Sequence, residues 1–436
     1  MEKIYRRYDV EETTYDFQPR VVLAELIPFF QVYQTWFYEL WPIVSVAQLT
    51  SSVCSRENGL DLSISHENIQ SYALCCALAG ALKHHIDSLS ALQKIIEIPS
   101  NVASVDFIAE CLRARNFGDY RLHPSLESVL VSFFLHVYYS SAKLNAPAIL
   151  YLKEAIAIAE LLGLHDNTKY SDKPLEERHR LRNIYYMLLV AERFTSLEAD
   201  FSVLLDASLP YEQSSVGDLS QIVKVFALPD KSFFTKRFNR NSVKIIPGIQ
   251  DELCKISIGE NSSEIQKVNV FLSKSWMQLL VWNHYNERQY PNHLQNDCFS
   301  TNYPIQIARD FLATTQRVPF YAFETNGPCV TKKLLTVAES LSDAINEDNF
   351  GIGYDALTSV LEIISRLNQN NFIPSEMQQK LHQISEWLWT QSLKCGVPDT
   401  TKIQLLDETE YEGRDSEYRW SPTSFSVFYG ATDDFS

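Results

Sequence analysis

Apolar side chains recur every three or four residues along most of this chain, which is the spacing of amphipathic α-helices. The pattern is clearest in residues 145–210, where two such stretches flank a polar loop and a segment without helical spacing follows. The apolar positions of the two stretches are Ile149, Leu152, Ile156 and Ala159, and then Leu181, Ile184, Leu188 and Ala191. The region is therefore predicted to be a helical hairpin with an extended exit, and other helices must cover its apolar faces.

Residues typical of helix ends flank the polar loop of this hairpin. Gly163 can adopt the left-handed conformation that closes a helix. Ser171 or Asp172 can cap the second helix, and Pro174 fits its first turn because proline has no N–H to leave unbonded there. Two glutamates follow the proline, where their charge favours the positive end of the helix dipole. We therefore expect the second helix to begin near Pro174.

The same periodicity predicts further helices on both sides of the hairpin. They cover residues 21–49, 66–85, 105–115 and 125–141 before it, and 263–285, 304–315, 328–345, 357–367 and 375–393 after it. Shorter helices alternate with loops between residues 211 and 261. A Pro28 kink is expected in the first of these helices.

The domain organisation predicted from this pattern is simple. Only 13 Gly and 17 Pro occur in 436 residues, and no fixed repeat or Gly/Ser-rich linker divides the chain. We predict an all-α fold, a multi-helix array that forms one integrated domain over residues 19–396. A flexible arm at residues 1–18 precedes it, and a loosely ordered acidic tail at residues 397–436 follows it.

The hairpin and its neighbours carry a family resemblance. The motifs are LLGLH, EERHRLRNIYYMLLVAER and LLDASLP in the hairpin, VFALPDKSFFTKRFN and YPIQIARDFLATTQRVPFYAFETNGP after it, and FFQVYQTWFYELWPIVSVAQL before it. Over residues 19–395 the chain resembles the fungal-specific transcription factor domain, the middle regulatory region of fungal zinc-binuclear-cluster regulators. It is most similar to the branch with maltose, amylolytic and quinate activators. The resemblance implies a nuclear protein that modulates transcription, for a pathway such as sugar use or a secondary-metabolite cluster, through protein contacts or a bound small molecule.

Charge and cysteine spacing change what this resemblance implies about DNA. The net charge is −16, and such a surface repels a phosphate backbone, so direct nucleic-acid binding by this chain alone is not expected. No Cys-x-x-Cys is present, although a zinc cluster needs six closely spaced thiolates. We therefore expect the family's zinc cluster to be missing, either naturally or because the sequence omits an N-terminal portion. The eight cysteines are expected to be reduced and mostly buried.

Catalytic and membrane signatures are also missing from the sequence. It contains no Gly-x-Ser-x-Gly elbow, no Walker loop and no His-Glu-x-x-His pair, and the Gly351-Ile-Gly353 segment does not follow a strand. No run approaches the length of a membrane span, and the N-terminus has no apolar signal segment. The expectation is a regulator and not an enzyme, with no cofactor, no metal site and no membrane contact.

Five residues are candidates for an effector pocket or for its structural support: Trp36, Trp41, Tyr185, Tyr186 and Arg193. A helical array with many aromatic residues can enclose an apolar cavity, but packing in the core is the alternative for each aromatic side chain. Arg193 could bind an anionic effector or the exit segment near Asp206. Alternatively, Arg193 and its neighbour Glu192 form a charge pair that fixes the path of the chain after the helix.

The C-terminal tail alternates acidic and aromatic residues, as activation segments do. Its candidate activation residues are Tyr418, Trp420, Phe425 and Phe428. An ordinary solvated terminus is the alternative interpretation. The expected partners are proteins of the transcription machinery or a zinc-cluster regulator, and a homodimer is possible. Two rival functions stay open, a regulator that acts only by pairing with an intact family member, and a small-molecule binder or enzyme outside transcription.

Overall fold

The computed structural model describes ten segments of the chain and six single positions near the C-terminus. They are residues 17–54, 64–65, 68–98, 100–199, 201–210, 219–234, 246–259, 262–286, 297–346 and 348–367, with 379, 382, 383, 386, 387 and 390. The described residues form α-helices, 3₁₀ turns and one π-helical turn, and the β-pairing among them is a single antiparallel bridge between Phe17 and Ile64. The all-α prediction is confirmed. None of the helices described has the length and apolar character that a membrane span requires.

Fifteen α-helices follow one another in the described part of the chain. They are α1 (Leu23–Val32), α2 (Val46–Cys54), α3 (Ile69–Asp87), α4 (Ser90–Ile95), α5 (Ser104–Phe117), α6 (Leu126–Ser141), α7 (Asn145–Leu161), α8 (Leu175–Ala199), α9 (Ser220–Ala227), α10 (Ile246–Lys255), α11 (Glu264–Asn286), α12 (Tyr303–Thr315), α13 (Phe320–Thr325), α14 (Cys329–Ala344) and α15 (Phe350–Leu367). Most of the helices predicted from periodicity agree with these bounds within a few residues. The helix predicted over residues 375–393, the arm and the tail lie almost wholly outside the described residues.

The contacts of the chain group it into two compact units. The first unit contains residues up to His84 and residues Ile98–Leu188, and the second contains His85–Glu97 and residues from Leu189 onward. The single integrated domain expected over residues 19–396 stays a prediction.

Helix α3 approaches α5 closely in the first unit at Gly80. A Cβ atom on Gly80 would lie 2.7 Å from Cδ1 of Ile108, so glycine is needed for this approach. Helix α6 begins at a capping box, in which the side chains of Ser125 and Ser128 each accept a hydrogen bond from the other residue's backbone N–H. Helices α6 and α7 pack along each other and bury Val129, Phe134 and other apolar side chains.

The hairpin is formed by α7 and α8, as predicted, and Gly163 has a φ of +76° just after α7. Its loop contains a 3₁₀ turn, Asn167–Tyr170, that the sequence did not predict. Asp166 caps this turn by accepting the N–H of Thr168 at 3.0 Å, and the Ser171 hydroxyl donates to the Thr168 carbonyl at 2.8 Å. Helix α8 begins at Leu175, one residue after Pro174, where the sequence had placed its start.

The helix predicted over residues 21–49 is interrupted, and that prediction was wrong. Helix α1 ends at Val32 and continues as one π-helical turn, Tyr33–Phe37, before the chain turns and α2 begins. Pro42 explains the interruption because proline lacks an N–H and restricts Trp41 to non-helical conformations. Pro28, in contrast, lies inside α1.

Helix α11 lies at the centre of the second unit. It packs against α9, α10, α12, α13 and α14, and thirteen of its side chains are buried. Helices α14 and α15 pack on each other, and α12 contacts both. The short segment His85–Glu97 carries α4, which packs on α13. The Glu324 carboxylate accepts the backbone N–H groups of Ala91 and Leu92 at 3.0 and 2.9 Å and so binds the first turn of α4.

Candidate functional site

The turn at Trp41 and Pro42 in the first unit contains one of the aromatic residues singled out in the sequence. The Tyr33 hydroxyl donates to the Trp41 carbonyl and accepts the N–H of Val44 at 3.1 Å. The Trp41 ring stacks on Phe37, with ring centroids 5.6 Å apart, and meets the edge of Phe134 at 6.0 Å. Burial raises the pKa of the Tyr33 phenol well above its ordinary value, so it stays a hydrogen-bond donor at this turn.

Helix α8 binds the same turn through an amide. The Asn183 side chain donates from Nδ2 to the Pro42 carbonyl at 3.1 Å. Tyr185 and Tyr186 follow on α8; both are buried, and their rings meet edge to face with centroids 5.5 Å apart. The motif before the hairpin and the motif within it are therefore in direct contact. Trp36 is half-buried in the π-helical turn.

In the second unit, Glu192 binds the backbone that leaves α8. Its side chain is buried, and its two oxygens accept the N–H groups of Leu204 and Leu205 at 2.8 and 3.0 Å. Burial raises the pKa of the Glu192 carboxyl, while these two hydrogen bonds and the charges of Arg193 and Lys231 act in the opposite direction. Glu192 thus holds the exit segment through its backbone N–H groups.

Lys231, which follows α9, binds the exit segment with its positive charge. Its ammonium lies 2.8 Å from Oδ2 of Asp206 and donates to the Leu204 carbonyl. Phe233 and Phe234, which follow Lys231 in a 3₁₀ turn, are both buried. The loop after α9 and the exit from α8 are therefore joined by a salt bridge and a hydrogen bond.

Arg193 binds a different stretch of backbone from its neighbour Glu192. Its Nη1 donates to the Phe226 carbonyl and, at 2.8 Å, to the Pro229 carbonyl. Its guanidinium lies 5.0 Å from the centroid of the Phe234 ring. The Glu192–Arg193 pair therefore links three of the motifs that carried the family resemblance: the end of the hairpin helix, its exit, and the VFALPDKSFF segment.

A buried lysine near this pair was missed by the sequence analysis. Lys333 on α14 is only 5% exposed, and its ammonium donates to Oγ of Ser273 at 2.7 Å. It lies 5.4 Å from the Phe194 ring centroid and 5.8 Å from each of those of Phe226 and Trp276. Burial lowers the pKa of Lys333. The sequence did contain a signal for a buried lysine, because Lys333 falls at the helical spacing of the apolar residues of α14.

A surface cleft of about 400 Å³ lies between α12 and α15. Its lining combines apolar and hydrogen-bonding side chains, namely Ile305, Gln306, Arg309, Asp310, Ala313, Asn349 and Ile352. None of the five residues proposed from sequence for an effector pocket lines it. Its size and mixed lining suit a small polar ligand.

Comparison with known proteins identifies the class of protein to which this chain belongs. The family model described as the fungal specific transcription factor domain matches residues 29–296, more than half of the chain. The chain belongs to this family of fungal transcription regulators, which confirms both the predicted family and the predicted regulatory function.

Individual relatives narrow the comparison further. The chain is 35% identical to the probable sucrose utilization protein SUC1 of Candida albicans, over 97% of this chain and 83% of that protein. It is 22% identical to the maltose fermentation regulatory protein YPR196W of Saccharomyces cerevisiae, over 90% of this chain and 82% of that protein. With the maltose fermentation regulatory protein MAL63 of the same species it shares 23% identity, over 76% of this chain and 71% of that protein.

Proposed function

We propose that this regulator controls genes for the use of sucrose or a related α-glucoside. The observation that carries the proposal is the 35% identity to a sucrose utilization protein over nearly the whole chain. The similarity to two maltose fermentation regulatory proteins supports the same class of sugar. A non-enzymatic role in the nucleus fits these relatives.

We further propose that the regulator acts through protein contacts. Its partners would be the transcription machinery or a zinc-cluster regulator with which it pairs. The net charge of −16 supports this mode because it disfavours close approach to DNA. The acidic and aromatic tail, with Tyr418, Trp420, Phe425 and Phe428, is the proposed activation segment.

For the aromatic candidates we propose a structural role. Trp41 packs on Phe37 and Phe134, and Tyr185 packs on Tyr186, as core aromatic residues do. The cleft between α12 and α15 is the better candidate for a sugar effector. Its amide, carboxylate and guanidinium groups can bind hydroxyl groups, and Ile305 and Ile352 can contact the apolar face of a pyranose ring.

A reporter assay tests the regulatory proposal. The chain is fused to a heterologous DNA-binding module, and reporter activity is measured in cells grown on sucrose, maltose or glucose. We expect activation on sucrose or maltose that deletion of residues 397–436 reduces. Equal activity on all three sugars would contradict the assigned pathway, and an unchanged response after the deletion would remove the tail from the proposal.

A pair of matched variants tests the cleft. Asp310→Ala removes a carboxylate from its lining, whereas Glu362→Ala removes an exposed carboxylate elsewhere on α15. We expect Asp310→Ala alone to raise the sugar concentration required for half-maximal reporter activity. The cleft is not the effector site if the two variants give the same dose–response curve.

A further inference from the structure

Two thiols that are distant in sequence lie side by side in the second unit. Cys254 is in the last turn of α10, and Cys298 is in the 3₁₀ turn Asp297–Phe299 that precedes α12. The Cys298 thiol is in hydrogen-bonding contact with the Cys254 thiol and with the Tyr303 hydroxyl. The Cys254 sulfur lies 3.7 Å from the same hydroxyl oxygen. The two sulfurs and Tyr303 thus form one cluster.

A buried amide network supports this cluster. The Gln278 side chain on α11 donates from Nε2 to the Cys254 sulfur at 3.5 Å and to the Tyr303 hydroxyl at 3.0 Å. Gln250, which is fully buried, donates from Nε2 to the Gln278 carbonyl at 2.8 Å. Gln278 therefore holds the Cys254 sulfur and the Tyr303 hydroxyl beside each other.

Access to solvent distinguishes this pair from three of the other described cysteines. Cys254 is exposed and Cys298 is half-buried, whereas Cys75, Cys76 and Cys111 are buried. Burial raises the pKa of the Cys111 thiol to about 12, which keeps it protonated and unreactive. The expectation that the cysteines are mostly buried therefore does not extend to Cys254 and Cys298.

We propose that Cys254 and Cys298 form an oxidation site at which a hydroperoxide generates an intramolecular disulfide. The exposed Cys254 sulfur attacks the distal peroxide oxygen, the O–O bond breaks, and Cys254 sulfenic acid and an alcohol (water, for hydrogen peroxide) result. The Cys298 sulfur then attacks the Cys254 sulfur. The S–O bond breaks, and the departing hydroxide takes the Cys298 proton to form water. Two thiols lose two electrons, and the peroxide gains them.

The disulfide would connect the end of α10 to the turn before α12, next to α11. A covalent link between segments 44 positions apart restricts the unfolded chain and adds stability to the folded second unit. Burial raises the pKa of the Cys298 thiol, so the second step is expected to be slow at neutral pH and faster in alkaline solution. The site would therefore respond to sustained oxidation.

Peptide mapping of the full chain tests the proposal. The reduced protein is treated with hydrogen peroxide, the remaining thiols are alkylated, and the digest is examined by mass spectrometry. We expect loss of two alkylatable thiols, a cross-linked Cys254–Cys298 peptide and a higher melting temperature than that of the reduced protein. Disulfides between other cysteines, or no loss of thiols, would overturn the proposal.

Variants give a second and independent measurement. Cys298→Ser is expected to abolish the cross-link and to leave Cys254 as a sulfenic acid that dimedone traps. Cys329→Ser is the matched control, because Cys329 is also half-buried but donates its S–H to the Asn326 carbonyl at 3.1 Å. The control is expected to form the Cys254–Cys298 disulfide at the wild-type rate. The pair is not an oxidation site if Cys298→Ser and the wild type yield the same Cys254 products.

Discussion

The Glu192 carboxylate accepts the backbone N–H of Leu204 at 2.8 Å and thereby fixes the path of the chain twelve residues beyond it. The next residue, Arg193, points in another direction and binds the carbonyls of Phe226 and Pro229. Neighbouring positions on a helix diverge by about 100°, so two adjacent charged residues can reach two separate segments. This adjacency explains how one short motif, Glu-Arg, stabilises the backbone of two others.

Glu192→Ala is predicted to destabilise the protein by about 2–4 kcal/mol, because it leaves two backbone N–H groups without their acceptor. The free energy of unfolding in urea measures the effect. Glu198→Ala, on the same helix, removes an exposed pair with Lys332 and is expected to cost less than about 1 kcal/mol. Equal losses in the two variants would contradict the role assigned to Glu192.

Arg193→Lys is predicted to lower stability by about 1–3 kcal/mol while it preserves the charge. A single ammonium cannot reproduce the guanidinium that binds two carbonyls and lies over Phe234. If the role of Arg193 is structural, the sugar dose–response of the reporter stays unchanged in the variant that remains folded. A shifted dose–response without loss of stability would instead support binding of an anionic effector by Arg193.

Gly163→Ala is predicted to destabilise the hairpin by about 1–2 kcal/mol, because the φ of +76° is unfavourable for any residue with a Cβ. The new methyl group would also displace the Lys169 side chain. Gly351→Ala is the control, since nothing lies within 4 Å of a Cβ at that position in the first turn of α15. It is expected to be neutral or stabilising by up to about 1 kcal/mol. Thermal unfolding of both variants provides the comparison.

Lys333→Met is predicted to change the pH dependence of stability. Because the pKa of Lys333 is lower in the folded than in the unfolded state, the unfolded chain binds more protons between these two values. The wild type therefore gains stability as pH rises through the folded pKa toward the unfolded value, and it loses this contribution as pH falls. Lys333→Met should lack this gain.

Urea midpoints at pH 7 and pH 9.5 measure the difference between the Lys333→Met variant and the wild type. Lys332→Met is the matched control, because Lys332 is partly exposed and pairs with Glu198. The control should preserve the wild-type change in midpoint between the two pH values. Parallel behaviour of Lys333→Met and the wild type would show that the Lys333 ammonium carries no net cost in the folded protein.

Periodicity and motif order were sufficient for most of the helices, the hairpin and the family, because each depends on residues that are close in sequence. The spacing of apolar positions placed α6, α7 and α11 nearly where they lie. It did not show the interruption between α1 and α2, since apolar residues continue in helical phase past Trp41 while Pro42 ends the backbone hydrogen bonding.

Tertiary structure alone decided which groups meet. Asn183 binds a carbonyl 141 positions away, and Lys333 binds a hydroxyl 60 positions away. Cys254 contacts Cys298 although no short motif joins them. The sequence by itself determined an all-α regulator of a known family, because local spacing encodes helices and short motifs indicate family membership. The partners of its buried charges and thiols depend on how distant helices pack, and no local pattern records that.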